Sequence, residues 1–143
     1  MYPTIYAPLS TMELSEIHTR RAWFEEYTHE SKGRVILPSR EGVDYTCPCC
    51  GYPTLGERGG YEICEICDWE DDGQDDAAAD EVWGGPNGNY SLTEARTNFA
   101  SHLTMYRERD KSSFRRETTT KRLEHKKKLI KQFEALRPNS SQA

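Results

Sequence analysis

Apolar residues recur at steps of three and four in several stretches of the chain, and two of these stretches begin with a helix-capping signal. Ser10 and Glu13 form the Ser-x-x-Glu arrangement of a capping box and predict a helix over about residues 11 to 30. Ser91 and Glu94 repeat this arrangement ahead of the most regular apolar stripe in the chain. That stripe predicts a second helix, packed on the cysteine-bearing region, and consists of Leu92, Ala95, Phe99, Leu103 and Tyr106.

Two weaker patterns predict further elements of secondary structure. The β-branched run from Arg34 to Leu37, followed by Pro38, predicts a short strand. The tail, residues 114 to 137, reads FRRETTTKRLEHKKKLIKQFEALR and predicts a basic helix with a sparse apolar stripe. Helices that flank a short strand and a cysteine-rich segment indicate an α+β fold.

Charge divides the chain into an acidic body and a basic tail. The net charge is −5 over 143 residues. Residues 1 to 105 carry 7 Lys and Arg against 19 Asp and Glu, whereas residues 106 to 143 carry 12 against 5. No apolar run approaches the roughly 18 residues of a membrane span, and the N-terminus lacks the basic and apolar regions of a signal peptide. We therefore expect a cytoplasmic protein with no membrane partner.

The five cysteines lie within one short segment and contain two Cys-x-x-Cys pairs. Cys47 and Cys50 form the first pair, and Cys64 and Cys67 form the second. The 13 residues between the pairs are enough for a β-hairpin that brings the pairs together. This spacing predicts one structural Zn²⁺ with four thiolate ligands, which leaves Cys49 as the spare.

Other chemistry for the cysteines stays open. Two disulfides with a free thiol, or five reduced cysteines in a small core, would use the same residues, and a rubredoxin-like iron site uses similar spacings. A site closed by four protein ligands has no position left for a substrate or an activated water. Because nothing else in the sequence resembles a nucleophile with its base, we expect no enzymatic activity.

Two stretches carry a family resemblance. Residues 45 to 76 read YTCPCCGYPTLGERGGYEICEICDWEDDGQDD, and residues 84 to 99 read GGPNGNYSLTEARTNF. Together they resemble the bacterial cysteine-rich CPCC domain, over about residues 45 to 105. The resemblance implies a small zinc-ribbon-like β-hairpin domain, packed by flanking helices, with no established catalytic role. It divides the chain into an N-terminal helix and strand (1–44), the CPCC domain with its packing helix (45–105) and a basic helical tail (106–143).

Residues 68 to 81, DWEDDGQDDAAADE, hold eight acidic residues in fourteen positions and no basic residue. They match the first positions of a calcium loop, but the acid needed at position 12 is Ala79. The remaining interpretations are a solvated acidic loop and a surface for a basic partner, edged by two tryptophans that would anchor it if exposed. The residues of that candidate partner surface are Trp69, Asp71, Asp72, Asp75, Asp76 and Trp83.

The sequence leaves two classes of function. The first is a protein-interaction module whose acidic, aromatic-edged surface occupies a basic cleft, in its most concrete form an immunity or antitoxin protein that blocks a bacterial toxin. The alternative is a nucleic-acid-binding regulator that uses the basic C-terminal helix. Arg58 is the only Lys or Arg between Cys47 and Tyr90, which favours the first class because the acidic body repels phosphates.

Overall fold

The computed structural model describes residues 9–31, 37–38 and 42–138. These residues form an α+β fold, as predicted, with helices around one small antiparallel sheet. The elements in chain order are α1 (Thr11–Glu30), β1 (Tyr45–Thr46), β2 (Pro53–Leu55), α2 (Leu92–His102), α3 (Lys111–Glu117) and α4 (Thr120–Glu134), with single 3₁₀ turns at Asp76–Ala78 and Gly85–Asn87.

Both predicted helix starts are confirmed by their caps. The Ser10 hydroxyl accepts a hydrogen bond from the Glu13 amide at 3.0 Å, and the Glu13 carboxylate accepts one from the Ser10 amide at 2.9 Å. The Ser91 hydroxyl accepts a hydrogen bond from the Glu94 amide at 3.0 Å. Helix α2 ends earlier than its apolar stripe suggests, because Leu103 adopts a left-handed conformation with φ of 63°. The last two residues of the stripe therefore lie beyond the helix.

The tail forms two helices where the sequence predicts one. A run of three threonines, residues 118 to 120, lies at the break between α3 and α4. The Thr118 hydroxyl donates a hydrogen bond back to the Phe114 carbonyl at 2.6 Å, and the Thr119 hydroxyl accepts one from the Arg122 amide at 3.2 Å. Threonine hydroxyls compete for backbone groups and favour helix ends, which explains the break. The predicted strand lies outside the described residues except for Leu37.

An aromatic cluster joins the first and last helices to the cysteine region. Phe24 of α1 and Phe133 of α4 are fully buried, with ring centroids 5.7 Å apart. Tyr52, just after the first cysteine pair, lies 5.7 Å from the Phe24 ring and 5.5 Å from the Phe133 ring. The elements are thus held to one core, which includes the cysteines. Within the described residues, no helix is both long enough and apolar enough to cross a membrane.

Candidate metal centre and the acidic loop

The first cysteine pair lies in the turn of the β1–β2 hairpin. Tyr45 pairs with Leu55 across this hairpin. The Cys47 amide donates to the Tyr52 carbonyl at 2.9 Å, and the Gly51 amide donates to the Cys47 carbonyl at 2.9 Å. The hairpin therefore encloses a cysteine pair, whereas the sequence interpretation placed a hairpin between the pairs.

The second cysteine pair repeats the same backbone hydrogen bonds. The Cys64 amide donates to the Trp69 carbonyl at 2.9 Å, and the Asp68 amide donates to the Cys64 carbonyl at 2.9 Å. An antiparallel bridge between Ile63 and Glu70 closes this turn. The two turns are equivalent knuckles, which we call knuckle 1 (residues 47–52) and knuckle 2 (residues 64–69).

The residue after each second cysteine has a left-handed backbone. Gly51 has φ of 85°, and a Cβ there would lie 3.1 Å from the Arg20 Nε atom. Both the conformation and the limited space therefore favour glycine in knuckle 1. The equivalent residue of knuckle 2 is Asp68, with φ of 75°. A side chain is present there despite the disfavoured backbone, and its contacts are described below.

The two knuckles bring four cysteine sulfur atoms close together. The Sγ atoms of Cys47, Cys50, Cys64 and Cys67 all lie within 4.8 Å of one another. Cys47 is 3.6 Å from Cys67, and Cys50 is 3.6 Å from Cys64. Zn–S bonds of about 2.3 Å in a tetrahedron place sulfurs about 3.8 Å apart, so the arrangement fits one Zn²⁺. All four side chains are fully buried, as in a structural site.

Hydrogen bonds to the sulfurs orient the ligands. The Cys49 amide donates to the Cys47 sulfur at 3.4 Å, and the Ile66 amide donates to the Cys64 sulfur at 3.4 Å. The Thr54 hydroxyl donates to the Cys64 sulfur at 3.0 Å. Such donors stabilise a thiolate on a metal. Cys49 contributes its backbone amide, and its buried thiol lies outside the group of four, where the sequence placed the spare cysteine.

A bound cation explains how four thiolates can be buried together. Burial raises the pKa of the Cys47, Cys50 and Cys67 thiols above the usual value. Burial also acts against ionisation of Cys64, but hydrogen bonds from the other cysteines and from Thr54 outweigh it and lower its pKa. Protons alone therefore favour one thiolate, whereas Zn²⁺ stabilises all four.

Knuckle 2 is tied to helix α4 by a buried ion pair that the sequence did not reveal. The Lys126 ammonium, with 0% of its side chain exposed, donates to the Asp68 carboxylate at 2.6 Å and to the Leu103 carbonyl at 2.8 Å. The Thr104 hydroxyl donates to the same carboxylate at 2.7 Å. Burial raises the pKa of Asp68 to about 6, although Lys126 and Thr104 act in the opposite direction. The contacts of this carboxylate account for a side chain at the left-handed position.

Three arginines from α1 and α2 bind knuckle 1 and the acidic loop, which comprises residues 68–81. Arg20 donates to the Cys50 carbonyl at 2.9 Å, and Arg96 donates to the Pro48 carbonyl at 2.9 Å. Arg21 bonds Asp75 through both terminal nitrogens, at 2.7 and 3.0 Å. Arg20 and Arg21 thus tie α1 to knuckle 1 and to the acidic loop.

Much of the predicted acidic surface is neutralised inside the molecule. Asp71 is 0% exposed and accepts hydrogen bonds from Arg58 at 2.9 Å and from the Gly59 amide at 2.7 Å. Asp75 joins Arg21 to Arg58, which lies 2.8 Å away. Burial alone would raise the pKa of Asp75, but hydrogen bonds from the two arginines hold it well below its usual range. These carboxylates therefore stabilise the loop.

The other candidate partner residues differ in exposure. Asp76 is half exposed and lies 2.6 Å from the Arg96 guanidinium. Trp69 is 0% exposed within the core, so the condition for a partner anchor is not met there. Asp72 is partly exposed and accepts a hydrogen bond from the Gln74 amide at 3.1 Å. Trp83 is 48% exposed, and it is the tryptophan of the pair that a partner can reach.

A matched pair of variants separates structural from solvated acids in this loop. Asp71→Asn should lower the free energy of unfolding by about 2 kcal/mol, because it removes a charged acceptor from a buried network. Asp72→Asn makes the same change one residue along and should alter it by less than about 0.5 kcal/mol. Urea unfolding of the zinc-loaded proteins measures both values. Equal effects would mean that the Arg58 contacts do not stabilise the fold.

The two knuckles and the sequence around them match a known protein family. No curated protein and no solved structure was found to match the chain. Residues 45–120, which span the hairpin, both knuckles, the acidic loop, α2 and α3, match the family described as Cysteine-rich CPCC. Because this match covers just over half of the chain, the protein belongs to the Cysteine-rich CPCC family and is a zinc-binding member with a four-cysteine site.

Proposed function

We propose that this protein is a non-enzymatic, zinc-stabilised protein-interaction module that works in the cytoplasm. In its most concrete form, it is an immunity or antitoxin protein that binds a cognate bacterial toxin and blocks it. The observation that carries the proposal is the exposed Trp83, which follows a loop held in place by internal hydrogen bonds.

The metal centre supports a structural role for the cation. Four buried thiolates complete a tetrahedral shell, so no coordination position is open to a substrate. Asp75 and Asp76 of the acidic loop are held by arginines, as in a stabilising ion-pair network. Both features favour a scaffold whose function lies in its surface.

Trp83 has the properties of an interface anchor. Its indole N–H donates to the Glu81 carboxylate at 3.0 Å, which fixes the orientation of the ring. Val82 beside it is also exposed and forms a bridge with Ser91. The side-chain amide of Gln74 donates to the Ala78 and Glu81 carbonyls, both at 2.7 Å, and so holds the backbone that leads to Trp83. A preoriented aromatic ring binds with little loss of side-chain entropy.

Acidic groups next to this ring give the surface its charge. Asp80 and Glu81 are exposed, and neither has an ion pair within the described part of the chain. Asp80 accepts a hydrogen bond from Thr93 at 2.5 Å, which positions it near the start of α2. We therefore place the proposed partner surface at residues 80 to 83. Exposed carboxylates at such a rim would mainly accelerate association with a basic partner.

Trp83→Ala should weaken partner binding by about 2 kcal/mol or more, which corresponds to about thirtyfold in Kd, mainly through faster dissociation. Tyr45→Ala is the matched control, because Tyr45 is also an aromatic residue with 48% exposure but lies on β1. The test co-expresses the product of the neighbouring gene with each variant and scores growth, followed by kinetics on the purified pair. The proposal predicts rescue by the wild type and the Tyr45 variant, and reduced rescue by the Trp83 variant.

Two results would count against it. A neighbouring gene product that neither inhibits growth nor binds this protein would remove the immunity role. Equal binding kinetics for the wild type and the Trp83 variant would remove residues 80 to 83 as the recognition surface.

A further inference from the structure

The outward half of helix α4 carries a row of lysines that form no ion pair with any acidic group of the described chain. Lys121, Lys127, Lys128 and Lys131 are all exposed, and none has an ion pair within the residues that the structure describes. We call these four residues the lysine face. Glu124 is exposed among them. The opposite side of α4 carries the buried residues Lys126, Leu129 and Phe133.

The basic residues of this part of the chain are sorted by the direction in which they point. Lys126 faces the body and pairs with Asp68. Arg122 pairs with Glu117, and Arg137 contacts Glu134 at 2.9 Å. The lysine face instead places like charges three and four residues apart, as at positions 128 and 131 and at positions 127 and 131. Such spacing disfavours a helix, and an anionic partner outside the chain would relieve the repulsion.

We propose that the lysine face binds the phosphodiester backbone of a nucleic acid, without reading its sequence. From Lys121 to Lys131 the helix rises about 15 Å, which matches about four phosphates of one duplex strand. Lysine ammonium groups act as point charges, which suits contacts to phosphate oxygens. Four lysines therefore face about four phosphates along the helix axis.

The chemistry of the face favours phosphates over a protein or a membrane. Large exposed apolar residues of the described chain lie elsewhere, at Met12, Tyr45, Tyr61, Ile63, Val82 and Trp83. A protein hot spot or a membrane-inserting helix needs such residues among its charges, and base stacking needs aromatic rings. A face of ammonium groups alone binds the backbone.

The acidic body opposes this binding less than its composition suggests. Four of the eight acids in residues 68 to 81 are paired with basic groups inside the molecule. These paired acids are Asp68, Asp71, Asp75 and Asp76. The inference is independent of the toxin-binding proposal, since the surface at residues 80 to 83 is a different one and uses the opposite charge.

Fluorescence anisotropy of the zinc-loaded chain with a labelled 24-base-pair DNA duplex and a 24-nucleotide single-stranded RNA tests the inference. Four released counterions predict a slope of log K against log salt of about −3.6 for the duplex and about −2.8 for the single strand. Duplex affinity should fall about a hundredfold between 50 and 200 mM salt. The relative affinities for the two probes show whether DNA or RNA supplies the backbone.

Two variants give opposite expectations. Replacing all four lysines by Gln should bring the salt slope close to zero and abolish binding at 200 mM salt. Glu124→Gln should tighten binding with an unchanged slope, because it removes the acid from the face without adding a phosphate contact. A merely structural effect would not produce this change of sign. Circular dichroism should show unchanged helix content in both variants.

Three outcomes would overturn the inference. The first is no binding to either probe at 50 mM salt. The second is an unchanged salt slope in the quadruple variant. The third is tighter binding to vesicles with 30% phosphatidylserine than to both nucleic acids, which would assign the lysine face to an anionic membrane.

Discussion

Removal of the metal is expected to unfold the region from β1 to α2. Structural zinc sites contribute on the order of 10–16 kcal/mol of apparent binding free energy, whereas a whole domain is stable by about 5–15 kcal/mol. The two knuckles are the turns on which β1, β2 and the acidic loop depend, and their cysteines are fully buried. Without the cation, four thiols would have to fill a site shaped for thiolates. The binding free energy of the metal is therefore comparable to the stability of a whole domain.

The measurement combines elemental analysis with unfolding of single Cys→Ser variants. The wild type should contain one zinc per chain, and Cys64→Ser should lose both the metal and the cooperative unfolding transition. Cys49→Ser is the matched control, because Cys49 is equally buried, in knuckle 1, but lies outside the group of four. It should keep the metal, with only a modest loss of stability.

The ligand assignment has a direct counter-outcome. If Cys49→Ser loses the metal while Cys50→Ser retains it, the set of ligands is wrong. Iron in place of zinc in the purified protein would keep the four ligands but change the metal.

Replacement of Lys126 is expected to have the second largest effect. Lys126→Met keeps most of the apolar stem but removes the buried cation of Asp68 and leaves this carboxylate only the half-exposed Arg122, 3.4 Å away. Loss of one partner from a buried ion pair costs about 3–5 kcal/mol, which is a large part of the stability of a small domain. Lys127→Met is the matched control, because Lys127 is the next residue in the chain but is exposed on the lysine face. This variant should change stability by less than about 0.5 kcal/mol.

A second variant shows whether charge or packing causes the loss. Adding Asp68→Asn to Lys126→Met removes the carboxylate charge that has lost its buried partner, and Asn tolerates the left-handed backbone at this position. About 2 kcal/mol or more should be regained, because a buried pair can be replaced as a whole at little cost. Urea unfolding of the wild type, Lys126→Met, Asp68→Asn and the double variant gives the double-mutant cycle. Each protein is zinc-loaded, and its metal content is checked. A double variant no more stable than Lys126→Met would assign the loss to packing.

The sequence by itself determined the features that depend on near neighbours. Two Cys-x-x-Cys turns chelate through residues three apart, so their spacing predicted the four ligands and the spare Cys49. The caps at Ser10 and Ser91 likewise act within one helical turn, and both starts were predicted correctly. Family membership followed from the same local motifs, and the match extends to residue 120.

The tertiary structure decided the fate of the charges. Arg21 meets Asp75 from 54 positions away, and Lys126 meets Asp68 from 58 positions away. Such long-range ion pairs cannot be predicted from the sequence pattern, because helical and strand periodicity indicates only which face of an element is apolar. In an acidic run that reads as a continuous surface, half of the acids are therefore paired with basic groups of the same molecule. Its exposed remainder at residues 80 to 83 and the lysine face were separated only when the helices packed on the knuckles.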